Sequence, residues 1–236
     1  MPKTNPQAGK NIRGLAIKRR IKAICAFASA GFFLLFPFFL VKISQSFLQW
    51  ISPSILPQPP PSNSVPSLSL IFYVVFIIIG LVLLANGIFW WKRANRADQG
   101  AKGEEDTAQE IAQLEQEGWH VEYGMRLSNK LGDADIVCIS PQSKAYVIDV
   151  KSHKGEITTD GTQLYRRMGK ITYPFEKNFL DQAMKQALQV RKQKDLSFVT
   201  PIVAFSDARV SVPPGKLKNV YVVEKSRLVS LLKSLG

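Results

Sequence analysis

Cysteine and histidine are nearly missing from this chain, with two of each in 236 residues. Cys25 falls in an apolar run and Cys138 in a candidate buried strand, which excludes a disulfide framework as the source of stability. No CxxC, HExxH or GxxxxGK motif occurs, so neither a zinc site nor a Walker-type nucleotide site has support. His120 and His153 stand apart and read as surface residues. Acidic residues are absent from the first 97 positions, which hold eleven of the 31 Lys and Arg. The other twenty bases face all 18 acids, so residues 98–236 carry only +2 of the formal net charge of +13. That excess positive charge belongs to the flanks of apolar segments rather than to a broad nucleic-acid surface.

Long hydrophobic runs are what the first third has instead. Ala23 to Val41 is free of formal charge, and nineteen helical residues reach about 28 Å, close to a hydrocarbon core of roughly 30 Å. The second run, Leu68 to Trp91, ends in Trp90-Trp91-Lys92-Arg93, an aromatic belt followed by a basic anchor. A cleaved leader fits the first run poorly: it is long for such a segment, no small-residue cleavage pattern follows, and the second run would still anchor the chain. Lys3, Lys10, Arg13, Lys18, Arg19, Arg20 and Lys22 precede the first run, Lys92, Arg93, Arg96 and Lys102 follow the second, and only Lys42 lies between. The bias predicts a multi-pass membrane protein with two spans, a lipid-bilayer partner and both termini cytoplasmic. The expected organisation is a basic cytoplasmic arm 1–22, transmembrane helices 23–41 and 68–91, a Pro-rich external loop 42–67, a linker 92–102 and a soluble domain 103–236.

Within the soluble domain, Gly103 to Glu117 has helical periodicity, acids in its first turn and Gly118 as a stop. Strands are expected at 121–124, 134–140 and 145–151, a looser hairpin at 155–174, a helix at 179–194, strands at 199–205 and 220–223, and a closing helix at 227–235. This order predicts an α/β fold with three α/β/α layers.

The hairpin around Pro141-Gln142-Ser143 concentrates the chemistry. Pairing Ser140 with Lys144 across that turn sets a register that puts Asp135 opposite Asp149, with Lys151 on the same face. Val137, Ile139 and Val147 share that face and Ile136, Cys138, Tyr146, Ile148 and Val150 the other, so the hairpin is buried on both sides. Two carboxylates about 5 Å apart stay ionised only with a cation between them. An Asp-x-Lys triplet alone is a frequent chance occurrence; its burial and its order after Glu104 and Asp135 give it meaning.

Gly103-Glu104, Asp135-Ile136-Val137, Tyr146-Val147-Ile148-Asp149-Val150-Lys151 with Gly155, and Gln182 in the next helix resemble, in that order, the nuclease-related domain (NERD) family. The resemblance covers about residues 97–225 and implies a restriction-endonuclease-like PD-(D/E)xK fold. It implies that Asp135 and Asp149 ligate Mg²⁺, with Mn²⁺ as a substitute, and that Glu104 holds the metal or its water. By the same resemblance Lys151 orients or activates the attacking water, and Gln182 braces the site or touches the substrate backbone. Glu105 rivals Glu104, because helix register is not fixed to one residue by sequence. The chemistry suits hydrolysis of phosphodiester bonds, in DNA before RNA, since a hard cation on carboxylates and a nearby lysine relieve charge on a phosphate. A second reading, favoured by the near-neutral domain charge, is a catalytically inactive membrane-tethered module that binds nucleic acid or a protein. Convergence of the four site residues in an open cleft would favour the enzyme, and a cleft plugged by 173–175 the tether.

Overall fold

No proline stands between Pro66 and Pro141, and the intervening stretch is rich in Ala, Gln, Glu and Lys, so nothing in it stops a helix. A computed structural model describes residues 8–55, 70–128 and 132–236, and in it one helix, α2, runs Leu70–Gln116. The expected linker at 92–102 is therefore helical and continuous with the helix expected from Gly103. The preceding helix, α1, spans Lys10–Ile55, so the first part of the expected Pro-rich loop is helical too, with Pro53 in its last turn. Residues 56–67 of that loop lie outside the described residues.

The chain divides into two compact units, Leu15–Arg96 and the described part of Met1–Gly14 with Ala97–Gly236. In the first, two helices long and apolar enough to cross a membrane pack on each other. A Cβ on Gly80 would stand 2.6 Å from Leu34 side-chain atoms, and one on Gly87 2.5 Å from the Phe27 ring, so both glycines are seats for a facing side chain. Phe33 and Phe36 meet Phe76, and Phe27 meets Trp91. At the charged end Arg20 lies over Trp91, Lys22 over Trp90, and Arg93 over Phe89 and Trp90. Outward-facing Ile, Leu, Phe and Val cover the rest.

The second unit adds β1 (His120–Arg126), β2 (Asp133–Ile139), β3 (Ala145–Lys151), β4 (Gly155–Thr159), β5 (Leu164–Met168), β6 (Ile171–Pro174), α3 (Phe179–Gln193), β7 (Val199–Phe205), β8 (Ala208–Val210), β9 (Lys216–Leu217), β10 (Val220–Glu224) and α4 (Lys225–Leu235). The main sheet has the order β1-β2-β3-β7-β10-β9, antiparallel on both flanks and parallel across β3-β7-β10. The second sheet, β6-β5-β4-β8, replaces the loose hairpin expected at 155–174, because Ala208–Val210 adds a parallel strand to β4.

Strand alternation sorts the core into layers, as expected. Ile136, Cys138, Tyr146, Ile148 and Val150 pack with Ile111 and Leu114 of α2 and Leu228 and Leu232 of α4. Val137 and Val147 turn the other way, to Ala187 and Val190 of α3. Val203 and Phe205 pack with Leu180 and Ala183 of α3 and with Ile157 and Leu164 of the second sheet. The fold is α/β with helices on both faces of the main sheet. Gly155 is where the chain leaves one sheet for the other: its φ is +102° and an added Cβ would lie 2.7 Å from Arg167 O. Only glycine meets both conditions without strain.

Candidate functional site

Strand β3 is buried over six of its seven residues and paired on both edges, antiparallel to β2 and parallel to β7. Ser140 N bonds Lys144 O at 2.9 Å and Val137 pairs with Val147, the register expected from the turn. The β2–β3 ladder ends at Ile136 and Ile148; one step further, Val150 N donates to Asp135 Oδ2 at 2.7 Å. The ladder thus opens where two aspartates would face each other, and one carboxylate takes over a strand N–H.

Asp149 is 1 % exposed. Lys151 Nζ lies 2.8 Å from both its oxygens, but the contact is aligned as a hydrogen bond only at Oδ1, and Oδ2 has no hydrogen-bond donor. Gln182 Nε2 donates to Oδ1 at 3.3 Å from α3. The Lys151 ammonium also sits 4.9 Å from the centre of the Phe179 ring, another α3 residue. Asn178 places that helix by accepting from Leu180 N and Asp181 N. Burial raises the Asp149 pKa, and Lys151 offsets part of the rise. Asp135 keeps some accessible surface yet lies deep enough for desolvation, then repulsion from Asp149 and Glu104, to push its pKa well up.

Glu104 reaches this group because its neighbour has no side chain. A Cβ on Gly103 would come within 2.7 Å of Ser206 Oγ and 2.9 Å of Ser152 Cβ, so α2 touches the ends of β3 and β7 there. Gln99 Nε2 donates to Ser152 O at 2.6 Å, clipping the helix in place, while Thr107 Oγ1 donates to Gly103 O at 2.7 Å within the helix itself. Glu104 has a pKa near 7, raised first by burial and then by Asp149 and Asp133, against a Gly9 backbone hydrogen bond and Lys151. Gly103→Ala is expected to push α2 off the strand ends and destabilise the domain by about 1–3 kcal/mol. Thermal unfolding of the variant checks this, and an unchanged midpoint would show that the approach is slack.

Two participants escaped the sequence reading. Asp133 is a fourth acid, and its charge bears on Glu104; the Asp133-Ala134-Asp135 alternation, which puts both aspartates on one strand face, was a usable signal. The N-terminal segment, Ala8 and Gly9 with the first turn of α1, is the other. Gly9 N–H donates to Glu104, Asn11 Nδ2 to Asp133 Oδ2 at 2.9 Å, and Arg13 makes a two-pronged pair with Glu105, while Ala8 joins the core cluster. No local pattern announces contacts between residues 92 and 122 positions apart. They also separate the two glutamates: Glu105 pairs with Arg13, whereas Glu104 accepts from Gly9 N–H and feels the charges of Asp149 and Lys151.

His153 is not the surface residue expected. It is part-buried among Phe175, Phe179 and Phe205, and its Nδ1 is buried without a hydrogen-bond partner. Burial, then Arg166 and Lys151, lower its pKa.

Three carboxylates with raised pKa values, one of them buried with the Lys151 ammonium as its counter-charge, are oxygen donors of the kind a hard divalent cation takes. The residues present fit such an ion by donor chemistry. Among the described residues, however, no three Asp, Glu, His or Cys side chains already close on one point. Lys151 holds Asp149, and Asp135 is spent on Val150 N.

Comparison with curated proteins and with solved structures gave no match. Residues 99–206, from the clip on α2 to the end of β7, match the family model of the nuclease-related domain, and this part of the chain is a NERD domain.

Proposed function

We propose that the protein is a membrane-anchored, metal-dependent nuclease with a PD-(D/E)xK-type site that hydrolyses phosphodiester bonds, of DNA before RNA. The observation that carries this reading is the buried Asp149 carboxylate, ion-paired with Lys151 and braced by Gln182, beside Asp135 and Glu104. Asp149, Asp135 and Glu104 would hold a Mg²⁺ or Mn²⁺ ion, which supplies Lewis acidity where a phosphate gains negative charge. Lys151 keeps a fixed positive charge at that point and orients the attacking water. Gln182 fixes the rotation of the Asp149 carboxylate. Water adds to phosphorus, the bond to the leaving sugar oxygen breaks, and the water's protons pass to that oxygen and to solvent.

Anchoring is supported by the two apolar helices. The arm touches the domain through Gly9, Asn11 and Arg13, so both lie on one side of any bilayer the hairpin crosses. The charge bias makes that side the cytoplasm. A reporter fused at Gly236 is expected to report the inside, and an external signal would overturn the orientation.

The second reading, an inactive tethering module, is favoured by one observation: Asp149 is already paired with Lys151 and one Asp135 oxygen is bonded to Val150 N, with no three ligands gathered among the described residues. One experiment separates the two. The full chain is used in detergent, because its arm belongs to the domain unit, on labelled single- and double-stranded DNA and RNA with Mg²⁺, Mn²⁺ or EDTA. Cleavage that needs metal and vanishes in Asp149→Ala and Lys151→Ala is expected. A folded protein that leaves all substrates intact would establish the tether instead.

A further inference from the structure

The second sheet carries a surface that the carboxylate site does not use. Residues 151–177 hold six bases against three acids, and two of those acids are occupied: Glu156 pairs with Arg167, and Asp160 accepts from Thr162 N, Gln163 N and Tyr165 Oη. Ile157, Leu164, Arg166, Met168, Ile171 and Tyr173 share one face, because Ile157 pairs with Arg166, Arg166 with Tyr173, and Met168 with Ile171. Ile157 and Leu164 are buried in the core, whereas the same face continues past it with Met168 43 %, Ile171 58 % and Tyr173 47 % exposed.

This overhang is continuous with the candidate site. Arg166 Nε donates to Lys154 O at 2.6 Å, three residues beyond Lys151, and the guanidinium bears electrostatically on His153. His153 in turn meets Phe179, over which Lys151 lies. A basic group paired across strands with an exposed aromatic ring, in an acid-depleted stretch, suits a polyanion whose flat bases are unpaired. A phosphate meets the guanidinium and a base stacks on the ring, an arrangement duplex DNA cannot offer because its bases are already stacked.

We propose, resting on the nuclease reading, that the β5–β6 face seats a single-stranded segment of nucleic acid beside the carboxylate–lysine site, with Arg166 on a phosphate, Tyr173 under a base and the Met168–Ile171 pair against the next nucleotide. The substrate class is then a single strand or a frayed end, and the contacts read the phosphate and the base face rather than sequence.

The test is fluorescence anisotropy of a labelled single-stranded DNA oligonucleotide, and of its duplex, with the full chain in detergent and EDTA, where cleavage is off. Tyr173→Ala is expected to weaken single-strand affinity about 5- to 100-fold, with Tyr173→Phe within about twofold of the parent because the ring is kept. Arg166→Ala should lower the salt slope of log affinity by about 0.7, and Arg167→Ala, on the other face, should not. Thermal unfolding of each variant controls for folding. Equal binding by the parent, Tyr173→Ala and Arg166→Ala, a preference for the duplex, or no binding by the parent would each overturn the proposal. Cleavage without any Tyr173 dependence sinks this inference and leaves the nuclease standing; Tyr173-dependent binding without cleavage does the reverse.

Discussion

On the proposed nuclease reading, Lys151→Ala and Asp149→Asn are both expected to lower metal-supported hydrolysis by about 10²–10³-fold or more, yet to act differently on the metal-free fold. Removing the lysine strands a carboxylate that is 1 % exposed and whose two oxygens both lie 2.8 Å from the Lys151 ammonium. The loss of a partner from a buried pair costs on the order of 3–5 kcal/mol. Asn at 149 removes the charge instead, and Lys151, with 14 % of its side chain accessible, can turn its ammonium to water. Hydrogen exchange of the β3 amides reads the difference: faster in Lys151→Ala, near the parent in Asp149→Asn. Divalent cation should restore protection in Lys151→Ala by supplying the missing charge. Equal protection in the two variants without metal would show that the pair is structurally idle.

The metal-free domain loses stability as pH rises from about 4.5 to about 7 through Glu104. The sign follows from linkage: a carboxyl with a raised folded-state pKa contributes its full stability below the unfolded value and loses it as pH rises through the folded one. Glu104 is raised first by burial and then by Asp149 and Asp133, and the shift corresponds to roughly 3 kcal/mol as a ceiling. Asp135 and Asp149 are raised too and act in the same direction. His153, whose pKa burial lowers, opposes them by adding stability as pH rises through its own range. Asp160 and Glu156 are exposed and held low, the first by Gln163 N–H and the second by Ser211 and Arg167, and they finish titrating near the bottom of the window. Glu104→Gln isolates the effect. Its metal-free melting temperature is expected to fall less than the parent's between pH 5 and 7.5, and Mg²⁺ should stabilise the parent increasingly over the same range, because binding releases protons. Parent and variant curves that run parallel would contradict the raised Glu104.

How much of this was legible in the sequence differs by element. The β2–β3 hairpin was legible in full, since the turn and the alternation of buried residues permit one register. The placement of Asp149 and Lys151 on one strand face followed from the same alternation, and the structure adds that α3 covers that face. Glu104 against Glu105 was not decidable, because adjacent residues on a helix differ by about 100° and the choice is made by distant partners: Ser152 and Ser206 under Gly103, Arg13 on Glu105. The second sheet was hidden because β8 is three residues long and pairs with a strand some fifty positions earlier. The continuity of α2 could have been read from the missing prolines, but the charge change at Lys92 looked like a domain boundary.

Strand β3 has a neighbour on each side, and the two are made at different times. Its antiparallel partner β2 precedes it, whereas its parallel partner β7 follows about fifty residues later, with Lys151 opposite Phe205. A chain still on the ribosome with its last emerged residue before Val199 has an open edge along the strand that bears Asp149 and Lys151, and its α3 has no Val203 or Phe205 to rest on. At about 5–20 residues per second of synthesis, the two apolar helices emerge seconds before that edge closes. The order of translation itself therefore keeps the carboxylate–lysine group unfinished until both apolar helices have left the ribosome.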